Sequence, residues 1–183
     1  EHIKRLEKPI YIQSQMINPK VLAFHLVSEI HHGTIKCLSD VYNWYRRTLA
    51  HFQKVSLDDD VIEKVMKNLI YSGCVKGEDD YKVTTTGMVA SMFYYSPFDV
   101  SDLSKNFTKL FENGKASNDL WVSMALANTD SNRTMIVNNA ERLEMEDYAK
   151  AVSGKIEKGL SPKQPFMQGA IKAGYCYHKL LEG

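Results

Sequence analysis

Three groups of side chains in this 183-residue sequence have the types and spacing for chemistry. His31-His32 stands shortly before Cys37, and imidazole and thiolate are zinc donors. Asp58-Asp59-Asp60 is a run of carboxylates of the kind that holds a hard cation. Trp44-Tyr45-Arg46-Arg47, with His51 and Lys54 one and two turns further on, suits a phosphate backbone. The first two have simpler explanations. No second ligand pair at metal-binding spacing accompanies the histidines and Cys37, so they suit a helix end with polar imidazoles. The aspartates belong in the first turn of an expected helix, where negative charge complements the helix dipole. The basic group suits either phosphate contacts or a solvated helix face beside a core Tyr45.

Other reactive constellations are absent from the sequence. It has no Gly-rich loop ending in Gly-Lys-Ser/Thr, no acidic metal box of the nucleotide-hydrolase kind, no Gly-x-Ser-x-Gly and no His-Glu-x-x-His. We therefore expect this chain by itself to catalyse nothing and to carry no cofactor. Asn106-Phe107-Thr108 and Asn132-Arg133-Thr134 match the glycosylation pattern, which matters only in a secreted protein. Cys37, Cys74 and Cys176 are too far apart for a disulfide framework or a zinc motif, so a reducing cytoplasm is expected (the nucleus in a eukaryote). The 23 basic and 22 acidic residues leave a net charge of +1, which excludes a strongly basic tail but not a local basic face. No apolar run approaches the roughly 20 residues of a membrane helix. The opening Glu1-His2-Ile3-Lys4-Arg5 is not a signal peptide, and the chain reads as a piece of something longer.

These groups must be positioned by helices. With 44% hydrophobic and 25% charged residues the chain is of globular composition. Pro9 argues for an extended arm over 1–17. Asn18-Pro19 is an N-cap followed by proline at the first helical position, opening a buried helix over 20–31 that Gly33 ends. Ile35, Leu38, Val41, Tyr42, Tyr45, Leu49 and Phe52 form a stripe that predicts one helix over 34–53. Ser56 caps a third helix, whose adjacent apolar pairs Val61-Ile62, Val65-Met66 and Leu69-Ile70 recur every four residues, and Gly73 ends it. Two β-type runs, 74–76 and 81–84, flank Gly77-Glu78-Asp79-Asp80 and predict a hairpin, followed by a short helix over 87–95.

Three helices and then a hairpin is the order of a winged helix, placed here at 18–98. The expected fold is mainly α, with this domain followed by a partial helical bundle over 99–183. The bundle helices are expected over 101–113, 117–127, 139–153 and 165–181, with turns at Gly114 and at Asn128-Thr129-Asp130-Ser131-Asn132. Their apolar faces are thin for a free-standing bundle.

Candidate nucleic-acid contacts are Arg46, Arg47 and Lys54 on the second helix and Lys76 and Lys82 on the hairpin. The hairpin tip Glu78-Asp79-Asp80 would repel phosphate, and the third helix opens on three aspartates. A duplex-reading regulator is thus a poor electrostatic fit. Lys150, Lys155, Lys158, Lys163, Lys172 and Lys179, with Tyr175, Tyr177 and His178, suit either a single strand or a solvated bundle face with core aromatics.

Several stretches resemble the C-terminal accessory region of Ski-type superfamily-two helicases, nearest the archaeal HelQ-type repair helicases. The stretch 8–14 resembles the strand leaving the second motor domain, and 24–30 the first winged helix. Tyr45-Arg46-Arg47-Thr48-Leu49-Ala50-His51-Phe52 resembles a family stretch ending "T-F-x-A-Y-Q". The most specific likeness runs over 81–95, where Thr84, Gly87, Ala90, Ser91 and Tyr94 match the family's "Thr-x-x-Gly-Arg-x-Ala-Ser-x-x-Tyr-Ile". Met124-Ala125-Leu126-Ala127, with Val137 and Glu141, resembles the opening of the bundle. Met88 and Asn138 stand where the family has basic residues.

The resemblance implies a winged helix that braces the motor domains, and a bundle that encircles the translocating strand. It implies single-stranded DNA or RNA and the parent's motor domains as partners, with ATP and Mg belonging to that 3′–5′ motor. Two other functions remain open: a stand-alone winged-helix DNA-binding regulator, and a protein-interaction module. Exposure of Trp121 or of Phe93-Tyr94-Tyr95 would favour the interaction module, and burial of both the helicase piece.

Overall fold

The computed structural model describes residues 12–54, 59–152 and 168–183. Helix α1 (Pro19–His31) starts where Asn18 and Pro19 require, the Asn18 side chain accepting from the Lys20 N–H at 3.0 Å. It buries Leu22, Ala23, Leu26, Val27 and Ile30, and Gly33 ends it with a φ of +77°.

The second expected helix is two. Asp40 accepts from the backbone N–H groups of Lys36 at 2.9 Å and Cys37 at 3.3 Å, which delays the start of α2 to Leu38–Tyr45. Thr48 then divides the rest. Its hydroxyl donates to the Tyr45 carbonyl at 2.7 Å and accepts from the His51 N–H at 3.4 Å, ending α2 and capping the single-turn α3 (Leu49–Phe52). Helix α4 (Asp59–Tyr71) buries Ile62, Val65, Met66 and Leu69, as its paired apolar pattern requires. Its expected cap Ser56 and first-turn Asp58 lie outside the described residues.

Strands β1 (Val75–Lys76) and β2 (Lys82–Val83) pair antiparallel, Val75 opposite Val83 and Lys76 opposite Lys82. Thr84 alone separates β2 from α5 (Thr85–Phe93), and Tyr94 ends that helix in the left-handed region at a φ of +59°. The next helix, α6 (Pro97–Glu112), starts four residues earlier than its apolar pattern suggests, because Ser96 caps it and Pro97 takes the first position. Helix α7 (Asp119–Ala127) is capped by Asn118. The polar run after it is a turn only in part: Thr129 caps a short helix, α8 (Asp130–Arg133). Helices α9 (Asn139–Val152) and α10 (Gln168–Glu182) follow.

The described residues are thus mainly helical, with one two-stranded sheet among them. No described helix is long and apolar enough to cross a membrane.

Two hydrophobic clusters form. The first gathers Leu22 and Leu26 of α1, Ile35, Val41 and Tyr45, Ala50, the buried face of α4, and Val75 and Tyr81 of the hairpin. The second is smaller: Leu110, Trp121, Met124 and Val152, with Phe107 and Tyr148 against it. Helix α6 joins them, since Phe98 packs on the first cluster and Leu110 lies in the second. The boundary expected at 98/99 therefore falls within its first turn. Polar ties reinforce the junction. Cys74 Sγ donates to the Pro97 carbonyl at 3.1 Å, Ser101 Oγ donates to the Ser72 carbonyl at 2.6 Å, and Lys20 pairs with Asp130 at 2.7 Å.

Candidate nucleic-acid interface

The break at Thr48 decides what the basic group becomes. Tyr45 and Ala50 point into the first core, so the chain between and around them turns outward. Arg46, Arg47, His51, Phe52 and Lys54 are all exposed. The edge-on contact of the Tyr45 and His51 rings, with centroids 6.2 Å apart, steadies the turn. Gln53 holds it to the preceding arm, its Oε1 accepting from the Ser14 N–H at 2.9 Å and its side-chain amide donating to the Ile12 carbonyl. No carboxylate pairs with Arg46, Arg47 or Lys54 among the described residues.

A continuous helix along the stripe would put Phe52 on the same side as Tyr45. The Phe52 side chain is instead 83% exposed, because the new helix start at Thr48 rotates it away from the core side. The signal was in the sequence: a threonine three residues before the N–H it caps.

Lys76 and Lys82 face each other across the ladder, well apart from the arginines. The hairpin is joined to the beginning of α2, the Tyr81 N–H donating to the Lys36 carbonyl at 2.6 Å. Arg46, Arg47 and Lys54 lie beyond its other end, and an eight-residue helix is about 12 Å long. Lys82 is also committed to Asp80 at 2.7 Å, a pairing that holds the Asp80 carboxyl low and the Lys82 ammonium high. The five candidate cations thus divide into a free basic turn and a hairpin whose acidic tip offsets it.

The lysines toward the end of the chain are compensated wherever they are described. Lys150 pairs with Asp147 at 3.4 Å, Lys172 with Glu141 at 2.7 Å and Lys179 with Glu182 at 3.1 Å. Tyr175 donates to Glu144, and Tyr148, pushed up to about 12 by burial, meets it edge-on. Lys155, Lys158 and Lys163 lie outside the described residues.

Helix α5 presents a second surface. Its buried side carries Gly87, Ala90 and Ser91, and Ser91 Oγ meets Ser28 Oγ at 3.3 Å and His31 Nδ1 at 3.2 Å on α1. Its outer side has no charged residue, and Met88, Met92, Phe93, Tyr94 and Tyr95 are all exposed. Beside it, between α5 and α6, lies an apolar groove of about 330 Å³ lined by Thr85, Val89, Tyr95, Val100, Leu103 and Phe107. Trp121, by contrast, is buried in the second core. Of the two features that bear on a docking role, the aromatic cluster is exposed and the tryptophan is not.

His31 and Cys37 do not converge. His31 stacks on His32 and meets Ser91, while Cys37 Sγ meets Ser39 Oγ at 3.0 Å. No three His, Cys, Asp or Glu side chains cluster for a metal among the described residues. Asn106 is buried in α6, its amide donating to the Ala125 carbonyl at 3.0 Å and the Asn128 carbonyl at 2.9 Å, so folding hides that glycosylation pattern. No protein-family model matches the chain, and no curated protein matches it.

Proposed function

We propose that this chain is a non-catalytic accessory fragment of a Ski-type superfamily-two helicase. It is a winged helix over 18–98 followed by part of a helical bundle over 99–183. It braces the motor domains and helps guide single-stranded DNA or RNA in the cytoplasm, or in the nucleus of a eukaryote. ATP and Mg act in the motor, outside this chain.

The observation that carries this is the junction of hairpin and α5. Each residue that resembles the family there, up to Ser91, has a structural task. Thr84 accepts from the Gly87 N–H at 3.3 Å and donates to the Gly73 carbonyl at 2.6 Å. Gly87 lies against the Cys74 carbonyl, and Ala90 and Ser91 are buried on α1. The same helix and the two residues after it leave Met88, Met92, Phe93, Tyr94 and Tyr95 exposed, an uncharged face suited to covering by another protein surface. A motor domain is such a surface, and Arg46, Arg47 and Lys54, which no carboxylate pairs among the described residues, suit the strand it moves along.

Exposure of Phe93, Tyr94 and Tyr95 is the condition that favours a second function, a protein-interaction module with no nucleic-acid role. Fluorescence anisotropy of a labelled single strand and a labelled duplex, titrated with the chain at several salt concentrations, separates the two. Salt-sensitive binding that prefers the single strand and weakens in the R46A/R47A variant supports the strand guide. Absence of binding to both supports docking alone. Tight duplex binding would point to a regulator, against which the acidic start of α4 speaks.

A further inference from the structure

We infer that Phe52 is a stacking platform for an unpaired base, set among phosphate-binding cations on the α2–α3 turn. Residues 46–54 carry Arg46, Arg47 and Lys54 and no carboxylate, in a chain whose net charge is only +1. In their midst an aromatic ring is 83% exposed and makes no ring contact among the described residues. The ring stands on a held base. Ala50 is fully buried, Thr48 closes the turn, His51 packs on Tyr45 and Gln53 bonds to residues on the arm. The platform is therefore ordered before a ligand arrives.

The chemistry selects the ligand class. An apolar protein surface covering Phe52 would also cover three cations that no carboxylate pairs among the described residues, and burying unpaired charge is costly. A nucleic-acid strand instead brings phosphates to the cations and a base face to the ring. A paired base is already stacked within its duplex, so the ring favours unpaired nucleotides. This deepens the strand-guiding part of the proposed function and rests on it.

The test uses the full chain and two labelled strands of equal length, a thymidine oligonucleotide and an abasic one that keeps the phosphates but lacks bases. F52A should weaken binding of the thymidine strand by roughly fivefold to a hundredfold and leave the abasic strand unaffected. F52W should retain most of the affinity. The dependence of log affinity on log salt should be the same for F52A as for the parent chain, because no cation is lost. In R46A/R47A the slope should fall by about 1.4, at about 0.7 for each phosphate contact on a single strand. Circular dichroism confirms that each variant is folded.

If F52A binds the thymidine strand as well as the parent chain does, or loses affinity equally for the abasic strand, the stacking site is refuted while an arginine-dependent strand contact survives. If the parent chain binds neither strand at low salt, the strand-guiding function itself falls and the stacking site with it. Binding of vesicles containing phosphatidylserine in an F52A-sensitive manner, with no preference for bases over abasic sites, would instead make the turn a membrane contact and overturn the proposal.

Discussion

Gly87 and Gly174 are both buried glycines inside helices, and their surroundings give them unequal tolerance to a side chain. A methyl group on Gly87 would run into the carbonyl oxygen and carbon of Cys74, backbone atoms fixed by their own bonds to Thr84: its N–H donates at 3.0 Å and its hydroxyl at 3.2 Å. One on Gly174 would meet the end of the Met124 side chain, an unbranched group with several rotatable bonds. Alanine gains up to about 1 kcal/mol over glycine in a helix. Forcing an extra methyl against rigid surroundings costs about 1–3 kcal/mol. G87A should therefore lose about 1–2 kcal/mol net, since its clash is with backbone. G174A should lose less than about 1 kcal/mol, since Met124 can move aside. For a chain of this size that is a fall of roughly 2–8 °C in Tm for G87A and a few degrees at most for G174A. Urea titrations followed by circular dichroism give the difference from the shift in midpoint at constant slope. A G87A protein as stable as its parent would refute the claim that α5 needs glycine to lie against the Cys74 backbone, just before β1. So would a G174A protein that loses more than G87A.

Two further outcomes follow from polar side chains that tie helices together. N106A should lose about 1–3 kcal/mol in the same urea titration, because it takes away the hydrogen bond to the buried Ala125 carbonyl and one of those to the Asn128 carbonyl, which keeps Arg133 at 3.4 Å. Asp102 and Glu141 should give stability opposite dependences on pH. Burial raises the Asp102 carboxyl above its ordinary 3.8, Arg133 at 3.0 Å only partly opposing it, so the native state binds the extra proton and stability falls as pH rises above about 4. The Lys172 ammonium and the Asn138 N–H lower the Glu141 carboxyl below its ordinary 4.5, so its contribution is complete above that pH and is lost as pH falls through the lowered value. Stability curves of D102N and E141Q between pH 3 and 7 should therefore depart from the parent in opposite senses; a shared sense would refute the assignment.

Most helices were legible because caps and apolar spacing agreed locally. Asn18-Pro19, Gly33, the paired apolar residues of α4 and the two β-type runs each fixed an element without help from elsewhere. The misreadings share one cause, a short polar side chain that competes with apolar periodicity for the backbone. Thr48 divides a stripe that otherwise reads as one helix, Asp40 delays its start, Ser96 advances α6, and Thr129 makes a helix of an expected turn. Periodicity averages over many residues, whereas a cap acts through one or two hydrogen bonds, so a single hydroxyl moves an element boundary. The same event moved the candidate site. Arg46 and Arg47 were visible as cations, but Phe52 became a surface residue only once the helix broke.

Charge distribution also limits how strongly the chain can hold a strand. Residues 46–54 carry +3 in a chain of net +1, leaving the remainder at −2, and the hairpin tip and the described C-terminal lysines add no free positive surface. Three phosphate contacts give a salt slope of about 2 for a single strand, a loss of roughly twentyfold between 50 and 200 mM salt. Binding is therefore expected to be weak at physiological salt, as the proposed strand guide allows and a stand-alone capture module would not. A slope well above 2 would require cations beyond the turn and would remove the turn from its central place in strand contact.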